Sequence, residues 1–351
     1  MLLYIHIPFC DSKCHYCSFN SYTDKIRYKH RYMKALMEQL KYEFERFDVK
    51  KEDLESVFIG GGTPSCVEAP LYEDVFTFVK PFLSKDAEIT TEANPNSANL
   101  SWLKDMKDFG INRISFGVQS FDDEKLKYLG RNHSSKIAIK AVENADKIGI
   151  KNISLDLIHG VNKDSKKLLK NDLDIAFSLP INHISTYHLS IEKGTKFYKD
   201  KERSKDDVSM QRWFYSKIVD RGFEQYEISN FGIYKCRHNI GYWEHKDYIG
   251  VGAGAVGFLK NQRLYPHKSV ERYIDEPLWA DTERLSEDEV KMERVFLGLR
   301  SIAGVDKRLF NKMESQRVRT LIDEGKIYEM GDKIYNKDYL LSDEMALYLL
   351  S

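Results

Sequence analysis

Residues 2–19 read LLYIHIPFCDSKCHYCSF, and the rest of the chain is best read outward from this stretch. Leu2 to Ile7 is a short apolar run stopped by Pro8, which is the pattern of a buried strand. Cys10, Cys14 and Cys17 follow at the spacing C-x3-C-x2-C, so three thiols share the loop at that strand's C-terminal end. In a reducing compartment, crowded cysteines read as metal or cluster ligands before disulfides. Three thiolates leave one iron of a four-iron cubane without a protein ligand. An open metal position is what admits a substrate or cosubstrate. Zinc is the other metal candidate, with His15 as a fourth ligand, although structural zinc prefers closed sets built from C-x2-C pairs. Cys66 and Cys236 stand alone, and three unrelated core cysteines are the plainest alternative.

After the loop, Met33, Leu36, Leu40, Phe44 and Phe47 recur at helical steps, predicting a helix from about Ile26 to Phe47. Strands are then expected at 54–59, 88–93, 113–117, 153–158 and 184–189. Helical patterns stand between them and after the last, around 70–82, 101–109, up to 148, 165–177 and 206–221. Six strand–helix units in series imply a parallel sheet with right-handed crossovers. Six are fewer than the eight of a closed barrel, so the fold class expected is α/β, a partial (β/α)6 TIM-like barrel. Polar residues gather at the strand ends: the cysteines after the first, Gly60-Gly61-Gly62-Thr63 after the second, then Glu92, Gln119, Asp156 and His188. In barrel-like folds that rim carries the chemistry. The expected division is a barrel core over 1–230, a linker region over 231–284, and a small winged-helix-like α+β domain over 285–351.

Composition narrows the class. Lys plus Arg and Asp plus Glu are 54 each, so net charge is zero and a nucleic-acid binder working by bulk charge is not expected. Nineteen Phe and 21 Tyr are too many for a disordered chain. No apolar run is long enough to span a bilayer. The N-terminus lacks a basic start and a small-residue cleavage site, so a cytoplasmic location is expected. The 285–351 segment mixes charge signs, unlike a winged helix with a basic recognition face. It is read as a lid or docking module.

IHIPFCDSKCHYCSF resembles the signature of the radical S-adenosylmethionine (SAM) superfamily. The likeness continues in GGGTPS (60–65), TEANP (91–95), ISFGVQSF (114–121), LGRNH (129–133) and LDLIHG (155–160). Together these resemble the oxygen-independent coproporphyrinogen III oxidase branch, over nearly the whole chain. The resemblance implies a [4Fe-4S] cluster on Cys10, Cys14 and Cys17. The SAM amino and carboxylate groups would sit on its open iron, and one electron from the cluster would release a 5′-deoxyadenosyl radical. It also implies contacts to the methionine part of SAM from Gly61, Gly62 and Thr63, whose bare N–H groups suit close approach. Glu92 is suited to the SAM ammonium and Arg131 to its carboxylate. Gln119 and Asp156 suit the ribose hydroxyls. Tyr4 is expected to approach the cosubstrate, and Tyr16 to offer its backbone near adenine.

Two branches share this scaffold, an oxidase that decarboxylates coproporphyrinogen III and a haem chaperone. The oxidase signature carries a further cysteine two residues after the third, where this chain has Phe19. The first strand starts at Leu2, so an oxidase-like N-terminal extension is not expected. The chaperone branch carries H-N-x-x-Y-W, present here as His238-Asn239-Ile240-Gly241-Tyr242-Trp243. Imidazole is a good axial ligand for haem iron, and aromatics can cover a porphyrin face. His238 is therefore the expected haem ligand, with Cys236 near enough to assist; the plainer reading is a capped turn with a buried Trp. The chaperone is the favoured reading and the oxidase the alternative. The partners implied are haem and haem-acceptor proteins, respiratory and membrane-bound ones among them. The chain would act as a monomer or dimer, without nucleic acid.

Overall fold

The computed structural model describes all 351 residues. Strands β1 (Leu2–Ile7), β2 (Leu54–Gly61), β3 (Leu83–Ala93), β4 (Arg113–Gln119), β5 (Asn152–His159) and β6 (His183–His188) pair in sequence order, each parallel to the next. The crossovers run through helices α1 (Lys29–Arg46), α2 (Glu73–Val79), α3 (Leu100–Phe109), α4 (Asp123–Leu129), α5 (Ser135–Lys147) and α6 (Lys166–Ser178), and α7 (Val208–Val219) follows β6. The six expected units are all present. The single helical stretch anticipated up to 148 is two helices, because Gly130 ends α4 in a left-handed conformation and Ser134 caps α5.

The pleat sorts the side chains into two populations. Leu3, Ile5, Ile7, Val57 and Ile59 face the helices and join the main apolar core. The alternate positions turn into the barrel and are mostly polar. Register sets Ser56 beside Glu88, Thr90 beside Arg113, Glu92 beside Ser115, and Asp156 beside Ser185.

Residues 231–284, expected as a linker region, extend this same sheet. Strand β7 (Glu224–Gln225) and β8 (Asn230–Gly232) lie antiparallel beyond β6. Helix α8 (Arg237–Trp243) then leads to β9 (Tyr248–Val251), which pairs parallel with β1. β10 (Gly257–Leu259), β11 (Gln262–Pro266) and β12 (Ala280–Arg284) continue antiparallel, with α9 (Val270–Asp275) between the last two. The result is one open sheet of twelve strands with β1 in its interior. These added strands are two to five residues long, and β9 and β10 each include a glycine, so no apolar run announces them.

Residues 287–350 form α10 (Glu287–Leu299), β13 (Val305–Asp306), α11 (Lys312–Asp323), β14 (Ile327–Met330), β15 (Lys333–Asn336) and α12 (Ser342–Leu350). Their three strands make a separate sheet in the order β13-β15-β14, over a core of their own around Leu299, Leu321, Ile334 and Leu349. Backbone bonds from Ile228 to Arg300 (2.9 Å) and from Ile302 to Tyr226 (2.9 Å) tie this unit to the barrel. No helix is long and apolar enough to cross a membrane.

Candidate functional site

The loops at the C-terminal ends of β1–β6 enclose a two-lobed cavity. The first lobe is lined by Cys10, Cys14 and Cys17, with Gly61, Gly62 and Thr63 packed beside Cys10; Glu92, Gln119, Arg131 and Asp156 complete it. The second, wider lobe shares Tyr16, Cys17, Phe19, Glu92, Gln119 and Asp156, and opens toward Tyr187 and His188.

The cysteine loop is held against the barrel from both sides. Cys10 N–H bonds back to Tyr22 O (3.1 Å), and His15 N–H reaches Leu129 O (3.0 Å) beside Arg131. Thr63 Oγ1 donates to Cys10 Sγ at 3.4 Å, and Arg131 Nη1 donates to Cys14 Sγ at 3.2 Å. A hydroxyl and a guanidinium aimed at sulfur favour thiolates over thiols. Burial pushes the Cys10 thiol up, and the Thr63 and Ser21 hydroxyls pull the other way. No three His, Cys, Asp or Glu side chains in the molecule converge on a point that would hold a single metal ion. The thiols are instead spread along a cavity wall, a donor set that fits a cluster whose irons each take one thiolate and not a lone zinc ion.

Gly61 and Gly62 shape the wall beside Cys10. Gly61 has φ of +113°, and a Cβ there would lie 2.6 Å from the His6 ring. A Cβ on Gly62 would lie 2.6 Å from Phe9 O and 3.0 Å from Cys10 Sγ. The backbone therefore comes against the cysteine loop as only glycine permits.

Charge at the rim is concentrated and poorly hydrated. Glu92 accepts from Gly61 N–H at 3.0 Å. Burial, and next the nearby Asp156 charge, raise its carboxyl to about 8. Burial also raises Asp156, against hydrogen bonds from Ser185 and Ser115. Arg131 Nη2 donates to Gly117 O (2.5 Å), while its Nε–H is buried without a partner. Gln119 has φ of +70°, which is costly for a residue with a side chain and is found where structure holds a functional group in place. Two acids that resist ionisation together and a cation with a spare donor are suited to a zwitterionic ligand.

Eleven of the thirteen expected site residues line this cavity: the three cysteines, Tyr16, Gly61, Gly62, Thr63, Glu92, Gln119, Arg131 and Asp156. Tyr4 and His238 do not. Tyr4 turns inside the barrel beneath the cavity, its hydroxyl 2.9 Å from His6 Nδ1 and its ring against Phe58. His238, expected as the haem ligand, is 1% exposed and lies at the opposite end of the barrel, beside Ser56. Its Nδ1 bonds Ser56 Oγ (2.8 Å), its Nε2 bonds Tyr242 OH (3.0 Å), and burial lowers its pKa to about 3. With both ring nitrogens engaged, neither offers a lone pair to iron, so the expectation is corrected. Cys236 is likewise buried, 3.4 Å from Glu88 Oε1. The H-N-x-x-Y-W motif instead closes the barrel floor. Glu88 accepts from the N–H groups of Arg237 (2.9 Å) and His238 (3.1 Å) at the start of α8, and from Tyr234 OH (2.7 Å). The sequence reading passed over Tyr187 in the wider lobe. Its only signal is alternation with Ser185 and His183 along β6.

A partial parallel barrel with three cysteines on its first loop and a glycine turn packed beside them defines a radical SAM protein, and residues 4–175 match the model of the Radical SAM superfamily. The "Heme chaperone HemW" of Bacillus subtilis (strain 168) is 33% identical, with 99% of this chain and 94% of that protein covered. The protein of the same name from Escherichia coli (strain K12) is 39% identical over 73% of this chain and 69% of its own length. The chain belongs to this HemW family. Among solved structures, coproporphyrinogen III oxidase (HemN) of Escherichia coli, described as a radical SAM enzyme, covers 100% of this chain and 90% of its own at a TM-score of 0.83. At 19% identity that likeness speaks for the fold alone.

Proposed function

We propose that this chain is a haem chaperone that carries a [4Fe-4S] cluster and SAM in the narrower lobe of the rim cavity and passes haem to acceptor proteins. The observation that carries the reading is one lobe lined by three thiols, by the Gly61–Thr63 turn packed on Cys10, and by Glu92, Gln119, Arg131 and Asp156. Cys10, Cys14 and Cys17 would hold the cluster. When bound, it supplies a redox-active iron with one open position. Around that position Arg131 holds a carboxylate, Glu92 accepts from an ammonium after losing its proton, and Gln119 and Asp156 hold hydroxyls. Tyr16 closes the lobe beside the cysteines. Tyr4 holds His6, whose ring lies under Gly61, without touching the ligand.

The relatives' name supports the haem reading, and so does Phe19. Where the oxidase pattern has a cysteine, this aromatic side chain stands 68% exposed on the ridge between the lobes. Phe19, Tyr187 and His188 give the wider lobe aromatic faces suited to a flat macrocycle. Residues 285–351 would dock the acceptor, which is in this reading a respiratory, membrane-bound protein, and the chaperone itself would work from the cytoplasm.

An anaerobic haemin titration of the reconstituted protein tests this. About one haem per chain is expected. His238→Ala should keep the same haem spectrum while melting at lower temperature, because it removes two buried hydrogen bonds and no iron ligand. Absence of specific haem binding by the unaltered protein, with decarboxylation of coproporphyrinogen, would overturn the chaperone reading in favour of the oxidase.

A further inference from the structure

Behind the rim lies a buried ionic cluster none of whose side chains lines the cavity. Asp172 on α6 is 1% exposed, Lys125 on α4 is 5% exposed, and Ser120, just past β4, is fully buried. Asp172 accepts from Ser120 Oγ with both carboxylate oxygens (2.9 and 2.8 Å) and from Phe121 N–H (2.7 Å). Lys125 Nζ lies 2.7 Å from Asp164 and 4.0 Å from Asp172, and donates to Ile158 O at 2.7 Å. Ser120 Oγ also accepts from Asp122 N–H (3.1 Å), and Asp122 caps α4 through Lys125 N–H (2.7 Å).

The placement of these bonds gives them a purpose. The peptide that Asp172 grips directly follows Gln119, whose left-handed backbone needs outside support to persist. The helix that Lys125 anchors is seven residues long and runs from that corner to Gly130, with Arg131 next. The carbonyl that Lys125 holds belongs to Ile158, two residues after Asp156 on β5. A single cluster thus ties together the backbone segments that present Gln119, Arg131 and Asp156, three residues from three parts of the chain.

We infer that Asp172, acting with Lys125 and Ser120, is a positioning residue for the SAM lobe: it holds the 119–131 segment so that Gln119 and Arg131 meet the ligand together. This rests on the reading of the rim as a SAM site. Such a grip is sensitive to geometry, since positioning errors of about 1 Å are enough to weaken a preorganised site.

The test is SAM affinity by equilibrium dialysis on anaerobically reconstituted protein, together with iron content and melting temperature. Asp172→Ala should retain the iron content of the unaltered protein, because all three thiols remain and Cys10 keeps its ties to Tyr22 and Thr63, and bind SAM at least tenfold more weakly. Asp172→Asn keeps an acceptor for Phe121 N–H and should recover most of the affinity. Where Asp172→Ala fails to fold, Ser120→Ala removes the Oγ donor to Asp172 and the acceptor for Asp122 N–H while leaving Asp172 on Phe121 N–H, and should still weaken SAM at least threefold. A merely structural role would lower melting temperature and iron content together and leave the affinity of the folded protein unchanged. SAM affinity within twofold of the original in folded Asp172→Ala, or in Ser120→Ala, overturns the inference. No SAM binding by the unaltered protein overturns the reading of the lobe, and the inference falls with it.

Discussion

At the scale of single residues, the site works through groups held in states they would not adopt in water. Glu92 shows this best. Its raised pKa means that the native state keeps a proton that the unfolded chain releases between about pH 4.5 and 8. In ligand-free protein this group's stabilising contribution is full below about pH 4.5 and is lost as pH rises through 8. Glu92→Gln should therefore melt about 2–4 °C higher than the original at pH 8.5 and nearly together with it at pH 5, as followed by circular dichroism. A ligand N–H donor favours the ionised carboxylate, so SAM should bind more tightly as pH rises toward 8, and the Gln variant should lose that slope. The thiols have a simpler expectation. Each of Cys10→Ala, Cys14→Ala and Cys17→Ala should lose the four-iron cluster, and full broad visible absorbance after reconstitution of any one of them would sink the ligand assignment.

At the scale of elements, the loop ends of the strands serve binding and the opposite end serves stability. The floor depends on Glu88, which caps α8 with its carboxylate. Burial pushes this carboxyl up, but Arg113 and the Arg237 and His238 amides outweigh that and leave it below its usual range. Glu88→Ala removes the cap, leaves the Arg237 and His238 N–H groups and Tyr234 OH without their acceptor, and takes one of the acids away from buried Arg113. Each buried donor left unpaired costs about 1–3 kcal/mol. Urea unfolding should show that loss, while the residual folded protein keeps its iron. Little of this was legible beforehand. H-N-x-x-Y-W looks like a ligand motif because histidine and aromatics together suit haem. Only the fold shows Ser56 and Tyr242 occupying both imidazole nitrogens. Conversely, the six strand–helix units were legible, because each buries one apolar stripe against the next and leaves a period in the sequence.

At the scale of the whole molecule, two apolar cores are separate. The main one belongs to the barrel and its added strands, and the smaller lies within residues 295–349. Elements with their own core can open on their own. Leu321→Ala, which empties part of the smaller core, should cost about 2–5 kcal/mol locally. Hydrogen exchange should quicken across 287–350 and stay unchanged in β1–β6. Exchange quickening equally in both would show one cooperative unit and refute the separation.

By itself the sequence determined the repeating strand–helix architecture, the cysteine loop and most of the rim, since these rest on local periodicity and on residues close to strand ends. Tertiary structure decided what depended on pairing between distant segments. It seated β9 beside β1, and so placed the glycine-rich stretch after α8 inside the sheet. It buried His238 between Ser56 and Tyr242, and it gathered Lys125, Asp164 and Asp172 behind Gln119. The physical reason is the same in each case. A hydrogen bond or ion pair across many residues leaves no period in the chain, and a polar side chain looks alike in sequence whether it will meet solvent, a ligand or a buried partner.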